Sequence, residues 1–373
     1  MRLVFLVFCW WLMPAALAAE PPPPIEGRAW LLADLYSGQI LAAHNPDERV
    51  EPASLTKLMT AYLASAALRD DRISVDRRIP VPERVLKAPG SRMFIEPGRK
   101  VTFDELIRGV VVQSGNDACI AIAEAIAGSE EAFVQAMNRE AGRLGMRDTQ
   151  FANPTGLPDA HHISTARDLY LLAAALIRDF PQRYAAYFAL KEFRYNDITQ
   201  LNRNRLLWLD ASVDGVKTGH TETSGYSLIA SAQRGPRRLV SVLLGSESEP
   251  GRARESLKLL NWGFQTFDSV KLFADGEAVR SIEVWKGSRD QVRAGVRGGL
   301  VVTVPKGLAE QLKAELLSHT PLIAPVAEGE RVGVLRLSLD GKPFGEYPVI
   351  ALETVPVAGF FGRTWDTLKL WLK

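Results

Sequence analysis

Val216-Lys217-Thr218-Gly219-His220-Thr221 is followed closely by Gly225-Tyr226-Ser227-Leu228-Ile229-Ala230-Ser231-Ala232 and then by Leu239-Val240-Ser241-Val242-Leu243-Leu244. Apolar and β-branched residues fill these runs, and Gly-containing segments separate them, which is the pattern of adjacent antiparallel strands. Ala29–Asp34 and Gln39–His44 read the same way, while long helical patterns lie between Ser54 and Arg178. Residues 25–267 therefore predict an α/β (α+β) domain, an antiparallel sheet flanked by helices.

Within this frame three short motifs occur in fixed order: Ser54-Leu55-Thr56-Lys57, Ser114-Gly115-Asn116 and Lys217-Thr218-Gly219. A lone Ser-x-x-Lys arises by chance about once in a chain of this length. Three motifs in order, each in a suitable local setting, are a strong signal of acyl transfer by a serine whose base is lysine.

Pro52 and Ala53 lead into Leu55, Leu58, Met59, Tyr62 and Leu63, apolar positions at helical spacing, so Ser54 lies at a helix start. Lys57, three residues on, shares its face. Serine is a weak nucleophile and needs a base beside it. A lysine serves once burial or a nearby cation favours its neutral form. Taken singly, the motif describes a capping serine and a surface lysine equally well.

The Ser114 triplet separates Leu106, Val110 and Val111 from Ala118, Ile120, Ala121, Ile122 and Ala125, which predicts a turn between helices. Either Ser114 or Asn116 caps a helix there, or Ser114 relays a proton between Lys57 and the leaving amine while Asn116 holds Lys57 or the substrate amide. Lys217 on a strand edge meets a substrate carboxylate, Thr218 adds a hydroxyl donor, and Gly219 lets the substrate backbone approach closely. A substrate along that edge gains main-chain hydrogen bonds as an added strand. The backbone N–H groups of Ser54 and His220 are then the natural oxyanion donors.

These motifs resemble those of the serine peptidase S11 family, the D-alanyl-D-alanine carboxypeptidases or low-molecular-mass penicillin-binding proteins. The likeness extends through Glu51-Pro52-Ala53-Ser54-Leu55-Thr56-Lys57-Leu58-Met59-Thr60, Gly90-Ser91-Arg92-Met93-Phe94, Glu96-Pro97-Gly98, Ser164-Thr165-Ala166-Arg167-Asp168-Leu169, Asn202-Arg203-Asn204 and Val213–Thr221, from about Glu26 to Lys373. Thr155 departs from it, since many relatives carry histidine there, and so does Ser224, where alanine is usual. The resemblance implies a serine β-lactamase/DD-peptidase-like catalytic fold. It implies Ser54 as acyl nucleophile, Lys57 as base, Ser114 as second hydroxyl with Asn116 beside it, and Lys217, Thr218, Gly219 and His220 as substrate-binding residues. Gly251-Arg252 matches a family arginine that helps hold a terminal carboxylate, although a surface arginine is the commoner case.

The activity so implied is removal of the terminal D-alanine from the stem pentapeptide of peptidoglycan through an acyl-enzyme, with β-lactam inhibitors taking the same serine. The same site serves a β-lactamase, a DD-endopeptidase or a transpeptidase. A silent wall-binding scaffold is the third class, and intact Ser54, Lys57, Ser114 and Lys217 argue against it.

Composition is compatible with this. With 45 basic and 43 acidic side chains the net charge is +2, which gives no reason to invoke nucleic acid. No Gly-rich phosphate loop appears. The five histidines include no His-x-x-x-His pair, and two cysteines are too few for a metal cage, so neither cofactor nor metal is expected. His161-His162 reads as a loop surface rather than a ligand pair. Cys119 stands between Ala118 and Ile120 as a buried, inert thiol.

Outward from the catalytic region the pattern changes twice. Arg2, an apolar run from Leu3 to Met13 and the small residues Ala15-Ala16-Leu17-Ala18-Ala19 read as a secretory signal peptide over residues 1–19, which Cys9 leaves with. From about Asp268 the chain becomes strand-like: Val279–Trp285, Gly299–Pro305 and Val332–Val349 largely alternate, and Asp340-Gly341 is a hairpin signal. Residues 268–355 thus predict a small β-rich second domain without catalytic residues.

In residues 356–373, Phe361, Trp365, Leu368 and Leu372 share a helical arc that Phe360 and Trp371 extend. Arg363, Asp366, Lys369 and Lys373 lie opposite, with Leu370 misplaced among them. That is an interfacial amphipathic helix, too short to span a bilayer. It would bind an anionic membrane surface and place the protein on the periplasmic face of the cytoplasmic (inner) membrane.

Overall fold

The computed structural model describes residues 20–360 and Asp366. The expected signal peptide (1–19) and residues 361–365 and 367–373 of the expected amphipathic segment lie outside the described residues. Among these, no helix is long and apolar enough to cross a membrane.

The chain opens with β1 (Ala29–Asp34) and β2 (Ile40–His44), then a 3₁₀ turn at Ala53–Thr56 that runs into α1 (Lys57–Arg69). A small hairpin, β3 (Arg78–Pro80) with β4 (Lys100–Thr102), precedes α2 (Phe103–Arg108), α3 (Asn116–Ala127), α4 (Glu130–Leu144), α5 (Ala166–Asp179) and α6 (Pro181–Tyr187). A second hairpin, β5 (Glu192–Tyr195) with β6 (Ile198–Leu201), and the short α7 (Leu206–Leu209) lead into β7 (Val213–Thr221), β8 (Gly225–Arg234) and β9 (Arg237–Ser246). The domain closes with α8 (Glu249–Thr266).

The main sheet has the order β2-β1-β9-β8-β7, and its strand pairs are antiparallel. Successive side chains of each strand point to opposite faces of the sheet, which decides what each face meets. Leu31, Ala33, Ile229, Val240 and Val242 pack with α1, α3 and α5. Trp30, Leu32, Leu228, Ala230, Leu239 and Leu243 pack with Leu259, Leu260 and Trp262 of α8. Helix α1 is buried from Lys57 to Leu68, as a helix between a sheet and other helices must be.

The second domain contains β10 (Phe267–Phe273), β11 (Ala278–Trp285), β12 (Gln291–Gly295), β13 (Leu300–Pro305), β14 (Leu312–Ser318), β15 (Leu322–Ile323), β16 (Arg331–Leu339) and β17 (Lys342–Ala351). Its core, built on Val292, Val302, Val304, Val332, Leu335, Leu337 and Val349, is separate from the catalytic ones. Asp340 and Gly341 both have positive φ, 50° and 73°, as a two-residue hairpin between β16 and β17 requires.

The two domains meet at the tip of β1. Ser37 Oγ lies 2.7 Å from Thr303 Oγ1, Gln39 Nε2 donates to the Thr303 carbonyl at 3.2 Å, and Ser269 donates to Asp34. In the sheet register Asp34 aligns through Leu239 and Ala232 with Val213, whereas Trp30 aligns through Leu243 and Leu228 with Thr218. The second domain therefore grips the sheet at the end remote from Lys217-Thr218-Gly219. The fold is the α/β catalytic domain plus β-rich second domain expected from the pattern changes.

Candidate active site

Ser54 sits in the 3₁₀ turn, one residue after Ala53, whose φ is +47°. The turn delivers Lys57 to the first position of α1, and Lys57 Nζ lies 2.9 Å from Ser54 Oγ. The same amine donates to the Thr155 carbonyl at 2.6 Å. With 1% of its surface exposed, Lys57 is buried, and desolvation brings its pKa down to about 8. The geometry is that of a nucleophile with a base in hydrogen-bond reach.

The segment after α2 widens into a π turn at Gly109–Gln113 and ends on Ser114 in the left-handed region, φ 64° and ψ 37°. This conformation is uncommon for a residue with a Cβ and recurs at functional sites. Ser114 Oγ accepts from Lys217 Nζ at 3.0 Å, and Lys217 also donates to its neighbour's carbonyl, Thr218 O, at 3.0 Å. Burial first, then the cations Lys57, Arg203 and Arg252, hold Lys217 well below the ordinary lysine range. Strand β7 is an edge strand of the sheet, and among the described residues no other strand pairs with its outer side.

A cleft of about 370 Å³ is lined by Ser54, Ser91, Ser114, Arg203, Thr218, Gly219, His220, Tyr226, Glu249 and Arg252. The structure thus brings Ser54, Ser114, Thr218, Gly219, His220 and Arg252 to one concavity, with Lys57 and Lys217 beneath its serines. His220 stacks on Tyr226 with ring centroids 4.0 Å apart, and the Arg252 guanidinium lies 5.5 Å from the same Tyr226 ring. Arg252 is no surface arginine: it is buried, and its Nη1 donates to the Gly219 carbonyl at 3.2 Å.

One expectation changes and two site residues gain a structural role. Asn116 donates its side-chain amide to the Pro89 carbonyl at 2.6 Å and its own N–H to Ser91 O at 2.7 Å, so it pins the loop carrying Ser91. Gly219 is also crowded within the protein: a Cβ there would lie 3.1 Å from Leu55 Cγ and 3.2 Å from Pro52 O, close against the nucleophile's own turn. His162 is not on a loop surface. It is buried, meets Phe151 edge-on, lies 2.8 Å from Thr56 Oγ1, and desolvation lowers its pKa to about 4, while His161 is exposed. Cys119 is buried, and desolvation raises its pKa to about 12, which keeps it an inert thiol.

The motif reading missed several supports. Asp117, fully buried, accepts from the backbone N–H groups of Met93, Phe94 and Ile95 and so fixes the loop that follows Ser91. Asn153 Oδ1 accepts from the N–H groups of Thr155, Gly156 and Leu157, holding the Thr155 carbonyl toward Lys57. Arg203 and Glu249 line the cleft, and Arg205 pairs with Glu249 at 3.0 Å. Asp117 beside Asn116 and the Asn-Pro-Thr-Gly turn were visible as residue types, but their targets are backbone groups distant in sequence.

Comparison with known proteins gives a consistent result. The family model described as D-alanyl-D-alanine carboxypeptidase (Peptidase S11) matches residues 16–248, and that described as penicillin-binding protein 5, C-terminal domain, matches residues 267–357. The chain is 43% identical over 368 residues to the D-alanyl-D-alanine carboxypeptidase DacC of Escherichia coli (strain K12), covering 96% of this chain and 92% of that one. The crystal structure of penicillin binding protein 5 from Haemophilus influenzae superposes with a TM-score of 0.87 at 38% identity, over 90% of this chain and 99% of that chain. Penicillin-binding protein D2 from Listeria monocytogenes, solved in its ampicillin-bound form, is similar at 27% identity and a TM-score of 0.58, over 66% of this chain and all of that one (100%).

Proposed function

The chain belongs to the S11 family of D-alanyl-D-alanine carboxypeptidases, and from that premise we propose that it removes the terminal D-alanine of peptidoglycan stem peptides through an acyl-enzyme on Ser54. The observation that carries the assignment of roles is the 2.9 Å contact between Ser54 Oγ and a buried Lys57 amine, at the floor of the cleft that Ser54, Ser114 and Arg252 line.

The neutral Lys57 amine donates to the Thr155 carbonyl and takes the proton of Ser54 Oγ. Oγ then bonds to the carbonyl carbon of the penultimate D-alanine, and the backbone N–H groups of Ser54 and His220 receive the oxyanion. As the C–N bond breaks, the proton passes from Lys57 through Ser114 to the leaving amine. Water next adds to the acyl carbon, giving its proton to Lys57, and the C–Oγ bond breaks as Ser54 recovers a proton.

Lys217, Thr218 and Arg252 receive the substrate's terminal carboxylate. That anion offsets the burial and the neighbouring cations that disfavour the Lys217 ammonium, so its arrival keeps a proton on Lys217. By repulsion between the two ammonium groups it also favours the neutral form of Lys57. A β-lactam offers the same carboxylate and carbonyl and acylates the same serine.

We also propose export to the periplasm and attachment to the inner membrane through the amphipathic arc of residues 359–373, with residues 268–355 as a spacer. The test of the chemistry is mass spectrometry of a stem pentapeptide incubated with the protein. Loss of one D-alanine is expected, and Ser54→Ala should abolish both that loss and labelling by a fluorescent penicillin. Labelling of the Ser54→Ala variant at the parent's level would refute the assignment.

A further inference from the structure

Beyond the end of β7 lies a second hollow of about 290 Å³, lined by Arg28, Arg49, Val50, Glu51, Asp159, Ala160, Ile163, Thr223 and Ser224. It has the nucleophile's own segment on one side, through Glu51, and the β7–β8 turn on the other. Thr223 Oγ1 donates to Glu51 Oε2 at 2.7 Å and ties the two together.

The lining carries both signs of charge. Arg28 spends its Nε on Glu48, and Arg49 spends its Nε and one Nη on Asp148, so each guanidinium retains further N–H donors. Glu51 and Asp159 form no ion pair among the described residues; Glu51 accepts from Thr223, and the Asp159 carboxylate accepts the backbone N–H of His161 at 2.8 Å.

The register of a bound substrate leads to this place. If the terminal carboxylate is held at Lys217 and Thr218 and the scissile carbonyl at His220, the peptide runs antiparallel to β7. Each step toward its N-terminus then advances about 3.3 Å along the strand. The stem residue preceding the two D-alanines falls opposite Thr221 and the turn after it, and its side chain is the one within reach of the hollow.

We infer that the hollow between Glu51, Asp159, Arg28 and Arg49 is a specificity subsite for the third stem residue. Its occupant is a side chain ending in an ammonium and a carboxylate together, as a diamino dicarboxylic acid does. Glu51 and Asp159 take the ammonium, and the spare arginine N–H groups take the carboxylate. This rests on the carboxypeptidase reading above.

The test compares three pentapeptides that differ only at the third residue: meso-diaminopimelate, lysine and Nε-acetyllysine, each assayed by D-alanine release. The parent enzyme is expected to prefer them in that order, with kcat/KM for diaminopimelate about tenfold above that for acetyllysine, equivalent to about 1.4 kcal/mol. Glu51→Gln should collapse the ratio of diaminopimelate to acetyllysine, Glu51→Asp should retain it in part, and Arg49→Gln should narrow the gap between diaminopimelate and lysine. Equal kcat/KM for all three peptides in the parent, or an unchanged ratio in Glu51→Gln, would overturn the subsite while leaving the carboxypeptidase reading intact. Failure to release D-alanine from any of them would overturn both.

Discussion

Replacing Lys57 by methionine keeps the length of the side chain and removes its titration, which turns the general-base argument into a stability measurement. Each pH unit by which burial depresses a lysine costs folding about 1.4 kcal/mol. Holding Lys57 at about 8 rather than 10.5 therefore destabilises the native state by about 3 kcal/mol at neutral pH. The sign follows from proton counts. Between about 8 and 10.5 the unfolded lysine still binds a proton that the folded one has released, so stability rises with pH across that window. Below it the penalty is complete; above it the penalty is gone.

The methionine variant lacks this slope. The loss of the amine's contacts with Ser54 and Thr155 displaces the variant's curve without tilting it. Removing Lys57 also relieves Lys217 of a neighbouring cation, which steepens the difference between the two proteins rather than reversing it. Urea unfolding of parent and Lys57→Met from pH 7 to 10.5, compared at matched m-values, should show the parent gaining about 3 kcal/mol on the variant. A flat or falling difference would mean that Lys57 is held as a paired ammonium, and the reasoning that brings its neutral form within reach near neutral pH would fail.

Lys217→Ala should cut acylation by peptide and penicillin alike, and amidating the substrate's C-terminus should then cause less further loss than in the parent; equal loss in both would show that Lys217 does not read the carboxylate. Gly156→Ala places a Cβ 1.8 Å from the Ala53 carbonyl oxygen at a residue whose φ is +82°, so it should destabilise the fold by about 2 kcal/mol or more and slow acylation, read by thermal melts and penicillin labelling. Deleting residues from Gly359 onward should abolish co-sedimentation with anionic vesicles and leave activity on small peptides unchanged; a truncated protein that still pellets would place the anchor elsewhere.

Much of this site was legible because its chemistry is written in contiguous triplets. Ser54 and Lys57 are helical neighbours, so their spacing alone puts them together. Lys217 and Thr218 lie on a strand that its β-branched residues and the Gly-containing turn after it mark. The hairpin at Asp340-Gly341 was legible because positive φ at two successive residues restricts which side chains fit.

What escaped depends on groups that the one-letter code does not distinguish or on distant partners. Asp117 acts on three backbone N–H groups more than twenty residues away in sequence. His162 looked like a surface residue because its burial against Phe151 and Thr56 exists only once the loop folds back on α1. Gly219 was read for its close approach to substrate; the Pro52–Leu55 turn is a second close neighbour that the motif does not reveal.

The contact from Lys57 to the Thr155 carbonyl has a consequence for how this enzyme can drift and how its tolerance to change should be mapped. A main-chain oxygen is inherited whatever side chain stands there, but Thr155 is itself buried, and its hydroxyl donates to Asn153 Oδ1 at 2.8 Å and accepts from the Leu157 N–H at 3.3 Å. Position 155 should therefore accept only side chains that can keep those hydrogen bonds. Genetic vulnerability extends to Asn153 and Gly156, which set the direction of that oxygen without approaching the amine. A map of sensitivity would outline the base's support as the whole turn from Asn153 to Leu157.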